Sequence, residues 1–343
     1  MTLWLGFIVA AIFVVFAGTL IGRVSGELGE RLGLGRAWSG AVLLSLGTTM
    51  PELVTTLTVA LRGQPGMAFG GIIGSAAFNL FILVVIDFID PEPIYSRISI
   101  QNVTTGLLGC ALMGVVIAGL SLGLAGIGET GGWGIGHVGI ASLAIFLLYG
   151  FGQYVLFQQS RQPGEDRTRL KIDTWLNRCS LRTLVLIYLG LIAVIVIAAI
   201  QLGVRAEELA AHYQLGAMFA GAVLLGIVTS LPEISNAVSC ARQKEFDLAM
   251  GNVLGANAFV LVVLALADVF YTNGRLFYAV SHTQAISALT MAGMAVIMQT
   301  IVLGALASNS AHRLWRFGVT SIFLAVLYGG GLFIAYHLPA GAP

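Results

Sequence analysis

The chain has 343 residues, of which 57% are hydrophobic and only 10% are charged, with 17 Lys and Arg against 16 Asp and Glu. Its mean hydropathy of +0.92 excludes an ordinary soluble domain of this size. The net charge of +1 gives no indication of a nucleic-acid partner. The composition therefore predicts an integral membrane protein.

Ten apolar segments are long enough to cross a bilayer, since a membrane helix needs about 20 mainly apolar residues. These segments are apolar all round, which argues against a β-barrel built from alternating strands. We predict an all-α integral membrane protein with ten transmembrane helices, at 3–22, 37–61, 66–89, 100–122, 134–157, 183–203, 213–241, 247–271, 282–306 and 313–336.

Basic residues are distributed unevenly between the two sides of this layout. The loops on one side hold all Lys and Arg residues except Arg62, Arg205 and Arg275. Because basic loops stay in the cytoplasm, we expect both termini outside and the loop 158–182 inside. The first apolar segment has no basic residue before it, which indicates an uncleaved helix rather than a signal peptide. The expected location is the cell (inner) membrane.

An internal repeat divides the chain. Residues 45–87 reappear 181 residues later as residues 226–268. Five predicted crossings separate the copies, so they run in opposite directions, as in transporters with inverted repeats. We predict a five-helix half at 1–157, a basic linker at 158–182 and a second five-helix half at 183–343. Identical residues at this offset are Thr48 and Thr229, Pro51 and Pro232, Glu52 and Glu233, Gly70 and Gly251, Gly74 and Gly255, Phe78 and Phe259, and Asp87 and Asp268.

Two repeated glutamates, Glu52 and Glu233, are the strongest candidates for a functional site. Each lies near the middle of a predicted membrane helix, where an ionised carboxylate is costly and usually functional. Each follows a proline, which removes a helix hydrogen bond and leaves a carbonyl acceptor nearby. No Lys or Arg lies deep in any predicted segment, so a purely structural ion pair is a poor alternative.

Neutral oxygen ligands accompany both glutamates. Hydroxyls three or four residues earlier fall on the same helix face, and the following helix of each repeat adds further polar groups. Carboxylate, hydroxyl and carbonyl oxygens suit hard cations such as Ca²⁺ and Na⁺. The alternative is hydroxyl bonding to the helix backbone or polar contact between helices. The candidates are Thr48, Thr49, Thr229, Ser230, Ser75, Asn79 and Asn257.

Other repeated residues have simpler interpretations. Asp87 and Asp268 fall at the ends of their segments, where solvation of the helix end explains them. The histidines and cysteines lack metal-ligand spacing, so we expect no zinc site. The repeated glycines are expected to allow close helix packing: Gly70, Gly71, Gly74, Gly251 and Gly255.

The paired motifs GTTMPE with GIIGSAAFN, and VTSLPE with GNVLGAN, resemble the two alpha repeats of the sodium/calcium exchanger superfamily. The resemblance implies that Glu52 and Glu233 bind Ca²⁺ or Na⁺ alternately. It implies that backbone carbonyls near Ser45 and Gly226 join the site, and that the first and sixth helices slide as a gate. The matching ligand positions are Thr48, Thr49, Ser75, Asn79, Thr229 and Ser230.

The second repeat departs from the family pattern. Ala256 and Val260 stand where the family usually carries a serine and an acidic residue, and Gly71 replaces an asparagine that the other half retains as Asn252. The site then has at most two negative charges, enough to neutralise one Ca²⁺ or two Na⁺. We therefore expect Val260 to alter the ion stoichiometry or to favour coupling to protons.

The expected function is exchange of Ca²⁺ for Na⁺ or H⁺ by alternating access, with no resident cofactor. The partners are inorganic cations and the lipid bilayer, without nucleic acid. An antiporter of another cation on the same scaffold is the main alternative. A channel is less well supported, because selectivity rings come from rotational symmetry among subunits. An enzyme is least supported, because no nucleophile and base pair is evident.

Overall fold

Helices account for nearly all regular structure in this computed structural model. It describes residues 2–31, 45–90, 94–98, 102–127, 133–160, 175–242, 244, 246–310, 313–314 and 317–337. The helices of the first half are α1 (Thr2–Arg31), α2 (Ser45–Thr48), α3 (Met50–Leu61), α4 (Pro65–Ile89), α5 (Asn102–Leu124) and α6 (Ile140–Ser160). Those of the second half are α7 (Leu181–His212), α8 (Ala217–Ala220), α9 (Leu231–Arg242), α10 (Phe246–Phe270), α11 (His282–Ala307) and α12 (Val319–His337).

Short elements connect the long helices. A π-helical segment, Gly221–Ile227, continues α8 and is called the π segment below. Three single 3₁₀ turns lie at Tyr95–Arg97, Trp175–Arg178 and Leu276–Tyr278. Two antiparallel hairpins complete the described elements: β1 (Gly134–Ile135) with β2 (Val138–Gly139), and β3 (Arg313–Leu314) with β4 (Phe317–Gly318).

Eight of the described helices are long and apolar enough to cross a membrane: α1, α4, α5, α6, α7, α10, α11 and α12. A ninth span is formed if Ala217–Ile227 and Leu231–Arg242, which meet at a bend of 42°, are counted together. Of the predicted segment 37–61, only α2 and the 12-residue α3 are described. Residues 37–44 lie outside the described part, so the full ten-helix layout stays a prediction.

Helices α4 and α10 form the centre of the bundle. In each, 72% of the residues in the most apolar 18-residue stretch are buried, against 17% in α6 and in α12. The π segment, α10, α11, α3 and α12 all pack against α4. Helix α1 packs along α7 beside this centre. The two helices that follow the glutamates in the repeats are therefore the most enclosed elements of the described structure.

Local sequence signals explain several helix starts. Ser180 precedes α7 and its hydroxyl accepts a 3.1 Å hydrogen bond from the Thr183 amide. Ser281 and Gln284 form a reciprocal capping box at the start of α11. Pro65 is the first residue of α4, a position at which its missing N–H is not needed. These caps satisfy backbone donors that a helix end leaves unpaired.

The hairpins correct the predicted starts of the fifth and tenth spans. Helices were expected from residues 134 and 313, but the chain first forms two-residue strands, and α6 and α12 begin only at Ile140 and Val319. In the first hairpin Gly134 and Gly136 have φ values of +156° and +62°, which a helix does not accommodate. Within the described residues, the prediction of an all-α chain is thus correct except for these two small hairpins.

Close helix approach in the centre depends on glycine. A Cβ added to Gly70 would lie 2.3 Å from the Met218 carbonyl oxygen, and one added to Gly221 would lie 2.4 Å from that of Met67. Gly74 is equally close to the π segment, at 2.5 Å from the Ala222 Cα. The predicted packing role is therefore confirmed for Gly70 and Gly74.

Alanine at Gly70 is expected to destabilise the protein strongly. The clash is with backbone, which cannot rotate away, so the cost should reach or exceed the upper end of the about 1–3 kcal/mol typical of overpacking. Gly71→Ala is the matched control, because its Cβ would meet Leu225 Cβ at an ordinary 3.6 Å. Thermal unfolding in detergent measures both; equal melting temperatures for the two variants would contradict the packing account.

Candidate cation site

Both glutamates lie at breaks in their helices. Helix α2 ends at Thr48, Thr49 interrupts the helix, and Glu52 is the third residue of α3. Glu233 is likewise the third residue of α9. The sequence placed each glutamate near the middle of a predicted membrane helix, and the structure breaks that helix just before it, because proline at the second position of each new helix cannot continue the preceding one. Each carboxylate therefore gains the partial positive charge of a helix N-terminus.

The second break follows the π segment. A π-helix is wider than an α-helix, is rare, and is often found at functional sites. Here it brings the Gly226 carbonyl within 3.1 Å of the Ser75 hydroxyl, which donates a hydrogen bond to it. Asn257 makes a second contact between the repeats, donating from Nδ2 to the Ala76 carbonyl at 3.1 Å. Predicted ligand residues of both repeats thus meet.

Each glutamate is contacted by a hydroxyl of the other half. The Ser230 hydroxyl donates to Glu52 Oε1 at 3.1 Å. Glu233 lies close enough to both Thr48 and Glu52 for its carboxylate to interact with them. The two carboxylates are 2% and 1% exposed. The two repeats therefore build one enclosed site around both acids rather than two separate sites.

The site contains buried polar atoms without a hydrogen-bond partner. Buried polar groups are normally paired, so such a cluster offers free ligand atoms to water or to a bound ion. Oxygens of carboxylate, hydroxyl and amide groups are available, and these are the ligands that hard cations prefer. The unpaired atoms are Thr49 Oγ1, Glu52 Oε2, Glu233 Oε2, Asn257 Oδ1, and Oδ1 and Nδ2 of Asn79.

Two candidate residues have weaker structural support. The Thr229 hydroxyl donates to the Leu225 carbonyl at 2.8 Å, the backbone bonding that was the alternative interpretation. Ser45 begins α2, but its side chain lies outside the described residues. The part of Ser45 in the site stays a prediction.

The departures of the second repeat are visible in the core. Ala256 and Val260 are both buried on α10, so the positions themselves are enclosed. Within the described ranges, no group of three or more His, Cys, Asp or Glu side chains is placed to hold a metal ion. The site therefore relies on two carboxylates and neutral oxygens.

Asn236 is a polar residue that the sequence did not single out. It lies one helical turn after Glu233, and its Nδ2 is buried without a partner. The signal that could have identified it is its spacing of three residues from the glutamate, which places both on one face of α9.

Asp87 and Asp268 are buried, at 1% and 0% exposure, which corrects the expectation that they are solvated helix ends. Both accept hydrogen bonds from the chain itself. These donors come from the starts of α6 and α12, far away in the sequence, so no local pattern at the aspartates reveals them.

Ion pairs join loops that were predicted on the same side. Asp90 accepts from Arg97 at 2.7 Å and from Lys244 at 2.5 Å, which joins the loop after α4 to the loop between α9 and α10. Arg62, in the loop between α3 and α4, pairs with Glu207 near the end of α7. This grouping agrees with the predicted alternation of loops, whichever side faces the cytoplasm.

Comparison with known proteins reveals matches over most of the chain. A family model, described as sodium/calcium exchanger protein, matches residues 2–157 and 183–337. The chain is 27% identical over 277 residues to the inner membrane protein YrbG of Escherichia coli (strain K12), covering 78% of this chain and 80% of that protein. It is 24% identical over 232 residues to the putative antiporter CaxA of Alkalimonas amylolytica, covering 67% and 69%.

Solved structures share the fold. The crystal structure of the H⁺/Ca²⁺ exchanger CAX aligns with a TM-score of 0.65 at 12% identity, covering 97% of this chain and 87% of that one. The sodium-calcium exchanger NCX_Mj aligns with a TM-score of 0.59 at 17% identity, covering 96% and 99%. The family match includes both halves and both glutamates, and the chain therefore belongs to the sodium/calcium exchanger family.

Proposed function

We propose that the protein is a secondary active antiporter that exchanges Ca²⁺ for Na⁺ or H⁺ at a site formed by Glu52 and Glu233. The observation that carries this proposal is the enclosed pair of carboxylates, each with a buried oxygen that has no hydrogen-bond partner. The family consists of exchangers of inorganic cations rather than enzymes.

The proposed mechanism is alternating access between two inverted five-helix halves, with ten helices in all. The 181-residue repeat supports it, together with the breaks that occur at equivalent prolines, Pro51 and Pro232. Helices α1 and α7, which the family resemblance assigns to a sliding gate, pack along each other beside the central helices. The central pair α4 and α10 would remain fixed while this outer pair moves.

The chemistry of the ligands favours Ca²⁺ as one of the exchanged ions. Two carboxylates balance the charge of one Ca²⁺ or two Na⁺, and the hydroxyl and amide oxygens add neutral ligands. A second candidate function is exchange of another monovalent or divalent cation. It is favoured by Ala256 and Val260, which leave the second repeat without the hydroxyl and acid usual in the family.

Uptake of radioactive Ca²⁺ into proteoliposomes tests the proposal and identifies the coupling ion. With an outward Na⁺ gradient, or with an outward H⁺ gradient, the purified protein should accumulate Ca²⁺ above the level of empty vesicles. Uptake that saturates and requires the counter-ion distinguishes an exchanger from a channel. Failure of both gradients would contradict Ca²⁺ transport, and the same assay with other cations would test the second candidate.

We further propose that the protein lies in the inner membrane with both termini outside and loop 158–182 in the cytoplasm. A cysteine-free variant, made by replacing Cys110, Cys179 and Cys240 with Ser, supplies the background for labelling. Cysteine at Arg62 should react with a membrane-impermeant maleimide in spheroplasts. Cysteine at Lys244 should react only in inside-out vesicles; the reverse pattern would invert the topology. Both positions are exposed, so accessibility depends on sidedness.

A further inference from the structure

Asp87, near the end of α4, binds the start of α12 in the other half of the chain. Its Oδ2 accepts a 2.6 Å hydrogen bond from the Gly318 amide and a 2.7 Å hydrogen bond from the Ser321 hydroxyl. Gly318 directly precedes α12, and Ser321 is its third residue. We call these contacts the Asp87 latch.

Asp268, near the end of α10, repeats the arrangement in the opposite sense. Its Oδ2 accepts from the Gly139 amide at 2.8 Å and from the Ser142 hydroxyl at 2.6 Å, at the start of α6. Its Oδ1 also accepts from the Leu276 amide at 2.6 Å. We call these contacts the Asp268 latch.

Every element of the first latch recurs in the second. The aspartates are 181 residues apart, and both the glycines (139 and 318) and the serines (142 and 321) are 179 residues apart. In both halves the acid comes from the central helix, and its glycine and serine donors come from the start of the last helix of the opposite half. Solvation of individual helix ends would not produce such a matched set of contacts in both halves.

The donors are well suited to a carboxylate. An anion at a helix N-terminus is stabilised by the helix dipole, and hydrogen bonds to a charged acceptor are stronger than neutral ones. Glycine leaves room for the close approach at one latch, because a Cβ on Gly318 would lie only 3.0 Å from Asp87 Oδ2. Each latch therefore joins two helices firmly at their ends.

The latched helices carry the candidate ligands. Asp87 follows Asn79 by eight residues, about 12 Å along a helix, and Asp268 follows Asn257 by eleven, about 16 Å. A shift of one residue moves a ligand by about 1.5 Å, and shifts of about 1 Å already impair a binding site. The depth of Asn79 and Asn257 thus depends on what anchors α4 and α10.

We propose that Asp87 and Asp268 are positioning residues, which fix the axial position of the two ligand-bearing helices by anchoring α4 to α12 and α10 to α6. The proposal rests on the proposed cation exchange. In this role neither aspartate contacts the transported ion. It extends the functional architecture from the centre of the protein to both ends of the central helices.

The test compares cation affinity in variants that remove one donor or the acceptor of a latch. Ser321→Ala and Ser142→Ala should each raise the Ca²⁺ concentration for half-maximal uptake by about tenfold, the lower end of the effect of lost supporting contacts at metal sites. Ser321→Thr and Ser142→Thr, which keep the hydroxyl, should restore most of the affinity. Asp87→Asn and Asp268→Asn should have larger effects in the same direction.

The outcomes separate positioning from stability. A latch that only stabilises the fold would lower the amount of active protein and the maximal rate while leaving the half-saturating concentration unchanged, and this result would overturn the proposal. If the wild-type protein transports Ca²⁺ and the alanine variants match it in affinity, the positioning role of the latches is refuted while the proposed function stands. If the wild type shows no cation exchange, the proposed function fails first and the positioning role fails with it.

Discussion

Gln in place of Glu52 or Glu233 is expected to abolish gradient-driven Ca²⁺ uptake, with a loss of more than about 100-fold for either variant. Even supporting residues around a metal cost 10- to 100-fold in affinity when they are lost, so removal of a charged ligand should cost more. Because the two acids lie in one enclosed site, neither half can compensate for the other. The measurement is the initial uptake rate in proteoliposomes.

A matched control distinguishes loss of the site from loss of the fold. Glu208 lies near the end of α7, pairs with Arg205 at 2.7 Å and is 39% exposed. Such exposed pairs contribute little to stability, so Glu208→Gln should transport normally. Glu52→Gln and Glu233→Gln should both remain folded, since the amide keeps the shape of the side chain and removes a buried charge. Normal uptake by Glu52→Gln or Glu233→Gln would refute the site.

A carboxylate introduced at Val260 should change the stoichiometry of exchange. Val260 is 1% exposed and lies three residues after Asn257, so both are on one face of α10. A third acid would attract additional positive charge into the site, because a buried carboxylate stays ionised only when a cation pairs with it and otherwise takes up a proton. Val260→Asp should therefore shift the reversal potential toward more coupling ions per Ca²⁺.

Val260→Asn is the control for this change, because asparagine has the shape of aspartate without its charge. It should keep the wild-type reversal potential, while any decrease in rate that it shares with Val260→Asp measures the cost of a polar group at this position. An identical reversal potential for wild type, Val260→Asp and Val260→Asn would show that position 260 does not determine the number of coupled ions.

Long apolar runs made most of the fold predictable. The expected span 66–89 corresponds to α4 at Pro65–Ile89, and the span 282–306 corresponds to α11 at His282–Ala307. The site was also accessible from sequence, because Glu52 and Glu233 combine two independent signals. They are acidic residues within apolar segments, and they recur at a fixed offset.

Features that depend on backbone geometry were not predictable in the same way. The hairpin at 134–139 carries no charged residue and runs directly into the apolar helix that follows, so hydropathy does not separate the two. The π segment Gly221–Ile227 is as apolar as an ordinary membrane helix, and nothing in its composition shows the wider winding. The breaks before Glu52 and Glu233 are signalled by Pro51 and Pro232, although the apolar run continues through them and does not show where each helix ends.

The latches illustrate a different limit. Asp87 and Asp268 were recognised as repeated, yet the glycine and serine donors that the two latches share lie more than 100 residues away in the sequence. The interpretation as solvated ends followed from considering each acid with its own helix. The signal was available in the parallel recurrence of Ser142 and Ser321, which becomes meaningful only when the helix starts are known.

The most direct test of cation exchange is efflux from proteoliposomes loaded with radioactive Ca²⁺ and diluted into different external solutions. Exchange predicts rapid efflux into buffer containing Ca²⁺ or the coupling ion, and almost none into alkaline choline buffer, which supplies no Ca²⁺ or Na⁺ and very few protons. Glu233→Gln should show no efflux in any solution. Wild-type efflux into the alkaline choline buffer as fast as into Ca²⁺ buffer would contradict exchange and indicate a channel.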